Sequence, residues 1–234
     1  MIGEDAMTTG DPAPAYAGAP FTEPMPYGYL YLGRRVDPPG RFPFLRASKA
    51  RDEALEHCTR LAAELEELTE VVDATVYAAV LVPPVEDSPR FDVMVLITTT
   101  GPDSIPAVEA AEAYRRLGAD SSMRARNIRR IGDVDAPPRS GPFLFNHFTA
   151  DDSDAAVRTF DGIAGWFTFR GGVRDSALLQ PVGEAPFVFV NHVRLPCGPV
   201  RFLLRLAAPS FRKHVAAVLK AGHVGNAPVF CRPV

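Results

Sequence analysis

The dipeptide Asn-His occurs twice in this sequence, each time inside a short apolar stretch. Asn146-His147 lies in FNHF, and Asn191-His192 lies in VNHV. A histidine in an apolar cavity can act as a general base or orient a substrate carbonyl. An asparagine can donate a hydrogen bond to an enolate or oxyanion. If the protein is an enzyme, these four residues are its predicted catalytic groups.

A second interpretation of the same four residues is structural. Side chains alternate between the two faces of a strand, so the asparagine and histidine of each pair point to opposite faces. Whether His147 and His192 share a face depends on strand register, which the sequence does not set. The four groups could instead hydrogen-bond one another or the backbone in a buried network without catalysing anything. Both interpretations predict that the side chains are substantially buried.

Other residues are weaker candidates for a ligand site. Trp166 and Phe145 could wall an aromatic cavity that binds substrate, although aromatic clusters of this kind also serve as core. Arg194 could bind an anionic group, or it could be the solvated end of a strand. His214 follows Phe211 on a partly apolar helix face.

The elements that must position these residues follow from apolar periodicity and turn signals. In the C-terminal half the pattern predicts, in order, a strand over 143–149, a helix capped by Asp151 or Asp152 and running to about Phe167, strands over 176–182 and 187–195, a helix over 199–221 interrupted near Pro209, and a strand over 227–232. In the N-terminal half it predicts a strand over 27–36, a helix over 48–68, a hairpin of strands over 71–82 and 91–99, a helix from Ser104 to Leu117, and a strand over 123–131.

The order strand–helix–strand–strand–helix–strand is therefore predicted twice. The fold class is α+β, with two ferredoxin-like βαββαβ units packed as an α+β barrel. The domain boundaries are a flexible tail over 1–26, an N-terminal unit over 27–134 and a C-terminal unit over 142–234, joined by a linker at 135–141. In the third strand of the N-terminal unit, Val95-Leu96 occupies the place of Asn191-His192. This difference predicts a site in the C-terminal unit only.

This element order resembles the dimeric α+β barrel superfamily, here as a tandem fusion over about residues 42–234. The superfamily includes stress-responsive barrel proteins and the antibiotic-biosynthesis monooxygenases. The resemblance implies a small-molecule cavity, and its members include cofactor-independent oxygenases, cyclases and heme-degrading enzymes. Heme-degrading members use a helix histidine as the iron ligand, with an asparagine and a tryptophan nearby. The resemblance therefore makes His214 the ligand, with Asn146 nearby, if the cofactor is heme, although Trp166 lies on a different element.

Composition narrows the class of protein. A formal net charge of -3 gives no general attraction to nucleic acid or anionic membrane, and no apolar run approaches the length of a membrane span. The three cysteines, Cys58, Cys197 and Cys231, have neither disulfide nor metal-site spacing. We expect a cytoplasmic protein without a metal, a nucleic-acid partner or a membrane partner, and a homodimer is possible.

The leading hypothesis is a protein that binds a small apolar or aromatic molecule. If it is an enzyme, the expected chemistry is cofactor-independent oxygenation, cyclisation or isomerisation. His147 or His192 would then be the base, and Asn146 or Asn191 would stabilise negative charge. The alternatives are a noncatalytic binding or assembly protein of the same fold, and a heme-binding or heme-degrading protein that uses His214.

Overall fold

The computed structural model describes residues 16–40, 43–137 and 140–234. The first fifteen residues of the predicted flexible tail, and two residues of the predicted linker, lie outside these ranges. The strands are β1 (Gly28–Arg34), β2 (Val71–Leu81), β3 (Val93–Thr99), β4 (Ser121–Ile131), β5 (Phe143–Thr149), β6 (Asp175–Pro181), β7 (Phe189–Arg194) and β8 (Gly225–Pro233).

Helices connect these strands in the order that the periodicity predicts. They are α1 (Lys49–Glu66), α2 (Ile105–Ala110), α3 (Glu112–Arg116), α4 (Ser153–Trp166), α5 (Pro199–Leu206), α6 (Pro209–Phe211) and α7 (Ala217–Ala221). Two π-helical turns, Phe167–Gly171 and Arg212–Ala216, follow α4 and α6, and a 3-10 turn, Pro102–Ser104, precedes α2. The order strand–helix–strand–strand–helix–strand thus occurs in each half of the chain.

Local sequence explains where the helices begin and break. Ser48 caps α1 by accepting a hydrogen bond from the Arg51 backbone, and Asp152 caps α4 through Asp154 and Ala155. The helix predicted over 199–221 is interrupted near Pro209 as expected, because Ala208, which precedes the proline, is extended. The helix predicted from Ser104 is likewise divided, because Ala111 is extended.

The eight strands form one closed antiparallel barrel in the order β1-β3-β2-β8-β5-β7-β6-β4. Each half of the chain supplies four neighbouring strands, and the pairs β2–β8 and β4–β6 join the halves. Closure leaves neither half with an unpaired sheet edge. The inner faces of the two halves therefore bury each other inside one barrel.

The barrel wall separates two kinds of core. Its interior is filled with aromatic and aliphatic side chains, including Tyr29, Tyr31, Tyr77 and Phe145. On the outer face, the leucines of α1 pack on the N-terminal strands, and Ala156, Phe160 and Ile163 of α4 pack on the C-terminal strands. Each strand of the C-terminal half therefore presents one face to the interior and one to the helices.

Residues 16–26, predicted as part of a flexible tail, lie against α4 of the C-terminal half and β4 of the N-terminal half. Tyr16 and Phe21 pack with the α4 core, Thr22 pairs with Arg130 of β4, and the Met25 backbone donates to Asn127 Oδ1 over 3.0 Å. The segment lacks helical or strand periodicity, so its contacts with the barrel are not visible in its own pattern. Across the described ranges, no helix has both the length and the apolarity needed to cross a membrane.

Candidate functional site

The pairing of β5 with β7 fixes where the two Asn-His dipeptides point. Asn146 stands opposite Asn191, and Phe145 stands opposite His192. Directly opposed residues of antiparallel strands share a face, and faces alternate along each strand. Both histidines therefore face the barrel interior, whereas both asparagines face the helices.

His147 is held by two hydrogen bonds inside the barrel. Its Nδ1 lies 2.9 Å from the Ala227 carbonyl oxygen, so Nδ1 carries the proton and donates. Its Nε2, 2.8 Å from the Tyr31 hydroxyl, then accepts from that hydroxyl. Burial lowers the pKa of His147 from 6.5 to about 4, and the bond to Ala227 opposes this only in part. The imidazole is therefore neutral at neutral pH.

His192 occupies a similar setting inside the barrel. Its Nε2 lies 3.2 Å from the Tyr77 hydroxyl, and its Nδ1 lies 3.9 Å from Asp135 Oδ1. Its ring stacks on Phe145 with a centroid separation of 4.6 Å and an interplanar angle of 6°. Each histidine thus contacts a tyrosine from the N-terminal half, across the interior of the barrel.

His147 also lies beneath an open depression of about 260 Å³ at one end of the barrel. The loop between β2 and β3 contributes Val85, Glu86 and Asp87 to its wall, and β8 contributes Asn226. The His147 side chain is only 1% exposed, however, and both of its ring nitrogens are hydrogen-bonded within the barrel. A ligand in the depression would reach the imidazole only if one of those bonds broke.

A second cavity lies on the other side of the wall, between the C-terminal strands and their helices. It offers about 30 Å³ to the centres of water-sized molecules, room for roughly two waters. Its lining consists of the apolar residues Ile131, Leu144, Phe148, Phe160, Ala164, Phe167, Val173, Val193 and Phe202 together with the polar residues Asn146, Ser176 and Asn191. We refer to it as the asparagine cavity.

The amide groups in the asparagine cavity are oriented by neighbouring donors. Ser176 Oγ donates to Asn191 Oδ1 over 2.7 Å, and Asn226 Nδ2 donates to Asn146 Oδ1 over 3.4 Å. With the carbonyl oxygens used in this way, the two Nδ2 groups remain as donors, and no described residue accepts a hydrogen bond from either. The cavity therefore combines apolar walls with two adjacent amide donors.

This arrangement can bind and polarise an oxygen atom, but it offers no base. None of the residues that line the asparagine cavity titrates near neutral pH. Two amide N–H donors can share one acceptor oxygen and stabilise negative charge that develops there. In this cavity the asparagines are therefore suited to the oxyanion role predicted for them, and the histidines lie on the opposite side of the sheet.

The remaining predicted residues lie around this site rather than in it. Trp166 is buried and donates to Ser210 Oγ over 3.2 Å, and its ring packs edge-on against Phe167. Phe145 lies inside the barrel. Arg194 donates to the backbone carbonyls of Val134 and Ala136, so it ties the chain after β4 to the barrel wall. The substrate-binding roles of these three residues stay predictions.

His214, the predicted heme ligand, lies in the π-helical turn Arg212–Ala216. Its ring meets Tyr16 edge-on, with centroids 5.1 Å apart, and it is absent from the lining of the asparagine cavity. The described residues therefore present no imidazole to that cavity. Within the three described ranges, no cluster of three or more metal-ligating side chains occurs.

Tyr31, Tyr77 and Ser176 take part in these networks, although the sequence did not identify them in these roles. Tyr27, Tyr29 and Tyr31 recur at every second position, which places Tyr29 and Tyr31 on one face of β1, with Tyr27 just before the strand. That spacing was the one feature of the sequence that could have predicted tyrosine hydroxyls inside the barrel. The partnership with histidines in β5 and β7 depends on barrel closure and is invisible in sequence.

Comparison with solved structures places this architecture among known barrels. The structure aligns with the crystal structure of an anthrone oxidase-like protein at a TM-score of 0.60 and 12% identity, over 89% of this chain and 91% of that one. The two proteins share a fold. A putative monooxygenase from Fusobacterium nucleatum aligns at a TM-score of 0.50 and 9% identity, over 91% and 94% of the two chains.

Sequence comparison adds no closer relative. No protein-family model matches the chain, and no curated protein matches it. A heme-binding protein from Thermus thermophilus aligns at a TM-score of 0.46 and 15% identity, over 94% and 95% of the chains. Because the identities to the anthrone oxidase-like protein and the putative monooxygenase are only 12% and 9%, the similarity to them is one of fold.

Proposed function

We propose that this chain binds a small apolar or aromatic molecule bearing a carbonyl or phenolic oxygen in the asparagine cavity. The observation that carries the proposal is the pair of amide donors, Asn146 Nδ2 and Asn191 Nδ2, in an otherwise apolar space. Asn146 is buried and Asn191 is half-buried, so a ligand that displaces water from the cavity must offer these donors an acceptor. A buried donor left without one costs roughly 1–3 kcal/mol. A ligand oxygen placed between them would satisfy both.

The proposal also includes a division of the chain into two units. The halves 27–134 and 142–234 are two ferredoxin-like units of a tandem α+β barrel, and the ligand site belongs to the second unit. In the first unit, Val95 packs among the leucines of α1 on the corresponding outer face, so that face holds no polar group at this point. The aromatic walls of the asparagine cavity suit a planar ligand.

Ligand entry requires movement, because the side chains leave room only for roughly two waters. Phe202 of α5 and Phe167 of the adjoining π-helical turn form the outer walls. Both belong to short, irregular segments, whereas the asparagines belong to paired strands. We propose that these two segments shift outward as the ligand enters, while the asparagines stay fixed.

If the bound molecule reacts, cofactor-independent oxidation fits the site best. An anthrone can lose its benzylic proton to give a resonance-stabilised anion, whose charge is concentrated on the oxygen. Two amide donors at that oxygen would stabilise the anion, and the released proton would pass to water because the cavity lining contains no base. The anion then reduces dioxygen, and overall one anthrone and one dioxygen give one anthraquinone and one water.

The test is dioxygen uptake by the full chain with anthrone under air and without added cofactor. We expect uptake and anthraquinone formation above the spontaneous rate, both greatly reduced in Asn146→Leu and Asn191→Leu. Dioxygen uptake equal to the spontaneous rate would remove the oxidase proposal. If binding of the ketone persisted in that case, the noncatalytic alternative, a binding or assembly protein of the same fold, would stand.

His147 and His192 have less support as the predicted bases, because each is bonded to a tyrosine inside the barrel. In this proposal they stiffen the wall that carries the asparagines. Heme binding through His214 is not supported by the described side chains, because His214 faces Tyr16. A Soret band that appears with hemin and disappears in His214→Ala would support heme binding through His214 instead.

A further inference from the structure

The surface outside the asparagine cavity combines exposed apolar side chains with cations. On α5, Val200 is 53% exposed and Leu204 is 70% exposed, and their spacing places them on one face of the helix. On the adjoining π-helical turn, Phe169 is 61% exposed. Large apolar groups exposed to this degree on neighbouring segments mark an interaction surface.

The two segments form one structural unit. Arg205 Nη1 donates to the Gly171 carbonyl oxygen, which ties α5 to the turn. On the inner side, Phe202 and Phe167 meet at the wall of the asparagine cavity. The apolar residues of α5 therefore occupy both of its sides, one facing the protein and the other facing solvent. We call residues 167–174 and 195–213 the basic cap.

The charge of the basic cap has a single sign. It contains the cations Arg170, Arg174, Arg201, Arg205, Arg212 and Lys213 and no aspartate or glutamate. Five of these six are exposed, and Arg205 is half-buried. No described carboxylate forms an ion pair with any of them.

The rest of the chain has the opposite balance. Helix α1 and the residues just after it carry a series of acids, among them Glu53, Glu56, Glu64 and Glu67. The net charge of -3 is a sum over the basic cap and a more acidic remainder of the chain. The expectation of no membrane partner was based on that sum and not on the distribution of the charges.

We propose that the basic cap docks peripherally on an anionic lipid surface. Protruding leucine, valine and phenylalanine side chains insert into the acyl boundary, while surrounding arginines contact lipid phosphates. An acidic protein would satisfy the cations but would leave the exposed apolar side chains in need of an apolar partner. The α1 surface of a second copy fits poorly for the same reason, because its exposed residues are mainly polar or charged. This proposal does not depend on what the asparagine cavity binds.

The test is flotation of the full chain with phosphatidylcholine vesicles that do or do not contain phosphatidylglycerol. We expect binding only to the anionic vesicles, with a loss as salt rises. The double variant Phe169→Gln/Leu204→Gln should lose most of the binding. The double variant Arg170→Gln/Arg201→Gln should lose about fivefold per arginine, the value typical of one cation near an anionic surface.

Matched controls separate the basic cap from general effects of polarity and charge. Val72→Gln/Val182→Gln changes two exposed valines elsewhere, which are 49% and 45% exposed. Arg35→Gln/Arg60→Gln makes the same change in net charge at two exposed arginines. Both controls should bind as the natural chain does. No binding to anionic vesicles, or equal loss in the controls, would overturn the proposal. Self-association that depends on Phe169 and Leu204 in the absence of lipid would overturn it in favour of an interface between copies.

Discussion

At the scale of single residues, the pairing of β5 with β7 points the asparagine and the histidine of each dipeptide to opposite sides of the barrel wall. Asn146 and Asn191 face a cavity under the helices, whereas His147 and His192 face tyrosines inside the barrel. The dipeptides therefore belong to two sites on the two sides of one wall. Substitutions at the asparagines test ligand binding, and substitutions at the histidines test the stability of the barrel.

Ser176→Ala should weaken ligand binding while leaving the fold intact. Its hydroxyl donates to Asn191 Oδ1 and so holds the Asn191 amide nitrogen toward the cavity. Without it the amide can rotate and present its oxygen, which repels a carbonyl ligand. We expect a loss of roughly tenfold in affinity, about one hydrogen bond. Calorimetric titration measures this, and Ser176→Thr, which keeps the hydroxyl, should restore binding in part. Unchanged affinity in Ser176→Ala would rule out this positioning role.

His147 should make the protein less stable as pH falls from 6.5 to 4. Its pKa in the folded chain is about 4, below the ordinary 6.5, so between these values the unfolded chain takes up the proton more readily. The stabilisation is complete above 6.5 and lost by 4, and it amounts to about 3 kcal/mol. Urea unfolding across this pH range should show a shallower slope for His147→Gln than for the natural chain.

The control for this slope is His57→Gln, because His57 lies on α1, is half-buried and bonds to the Arg116 carbonyl oxygen at the protein surface. That variant should keep the pH dependence of the natural chain. Equal slopes for His147→Gln and the natural chain would show that His147 titrates normally.

At the scale of elements, the sequence predicts the strands well and their partners poorly. The large apolar residues on both sides of each Asn-His dipeptide predict that β5 and β7 are buried on two faces, which is a local property. Register is different, because it depends on how eight strands close into a barrel. The pairing of Tyr31 with His147 joins residues from the two halves, and no pattern within either strand indicates it. The break at Ala111 is a further example, since neither proline nor glycine marks it, whereas the break at Ala208 is local because Pro209 follows.

Two glycines of α4 give a test of the packing of residues 16–26. A Cβ at Gly165 would stand 2.3 Å from the Ala17 carbonyl oxygen, whereas a Cβ at Gly162 would meet nothing within 4 Å. Gly165→Ala should therefore push the segment away and lower the melting temperature. Gly162→Ala should be neutral or stabilising by up to about 1 kcal/mol, the helix propensity difference. Equal melting temperatures would show that the segment contributes nothing to stability.

At the scale of the whole molecule, closure makes the two halves interdependent. Strands β2 and β4 of the first half each pair with a strand of the second. A half produced alone would expose two unpaired sheet edges, which favour aggregation or pairing with another copy. We expect the segments before and after the 135–141 linker to be insoluble or self-associated alone, and to form a soluble complex when produced together. Stable, monomeric halves would contradict this account of closure.

The central claim is that the asparagine cavity binds a molecule through an acceptor oxygen, and a matched pair of ligands tests it most directly. Fluorenone and fluorene have the same fused rings, but only fluorenone carries a carbonyl oxygen. Trp166, the single tryptophan of the chain, contacts the cavity residue Phe167 at a centroid distance of 5.3 Å and reports occupancy by fluorescence. We predict that fluorenone binds about tenfold to a hundredfold more tightly than fluorene, and that Asn146→Leu/Asn191→Leu abolishes the difference. Equal binding of the two ligands, or a preference for fluorenone that survives the double substitution, would contradict the claim.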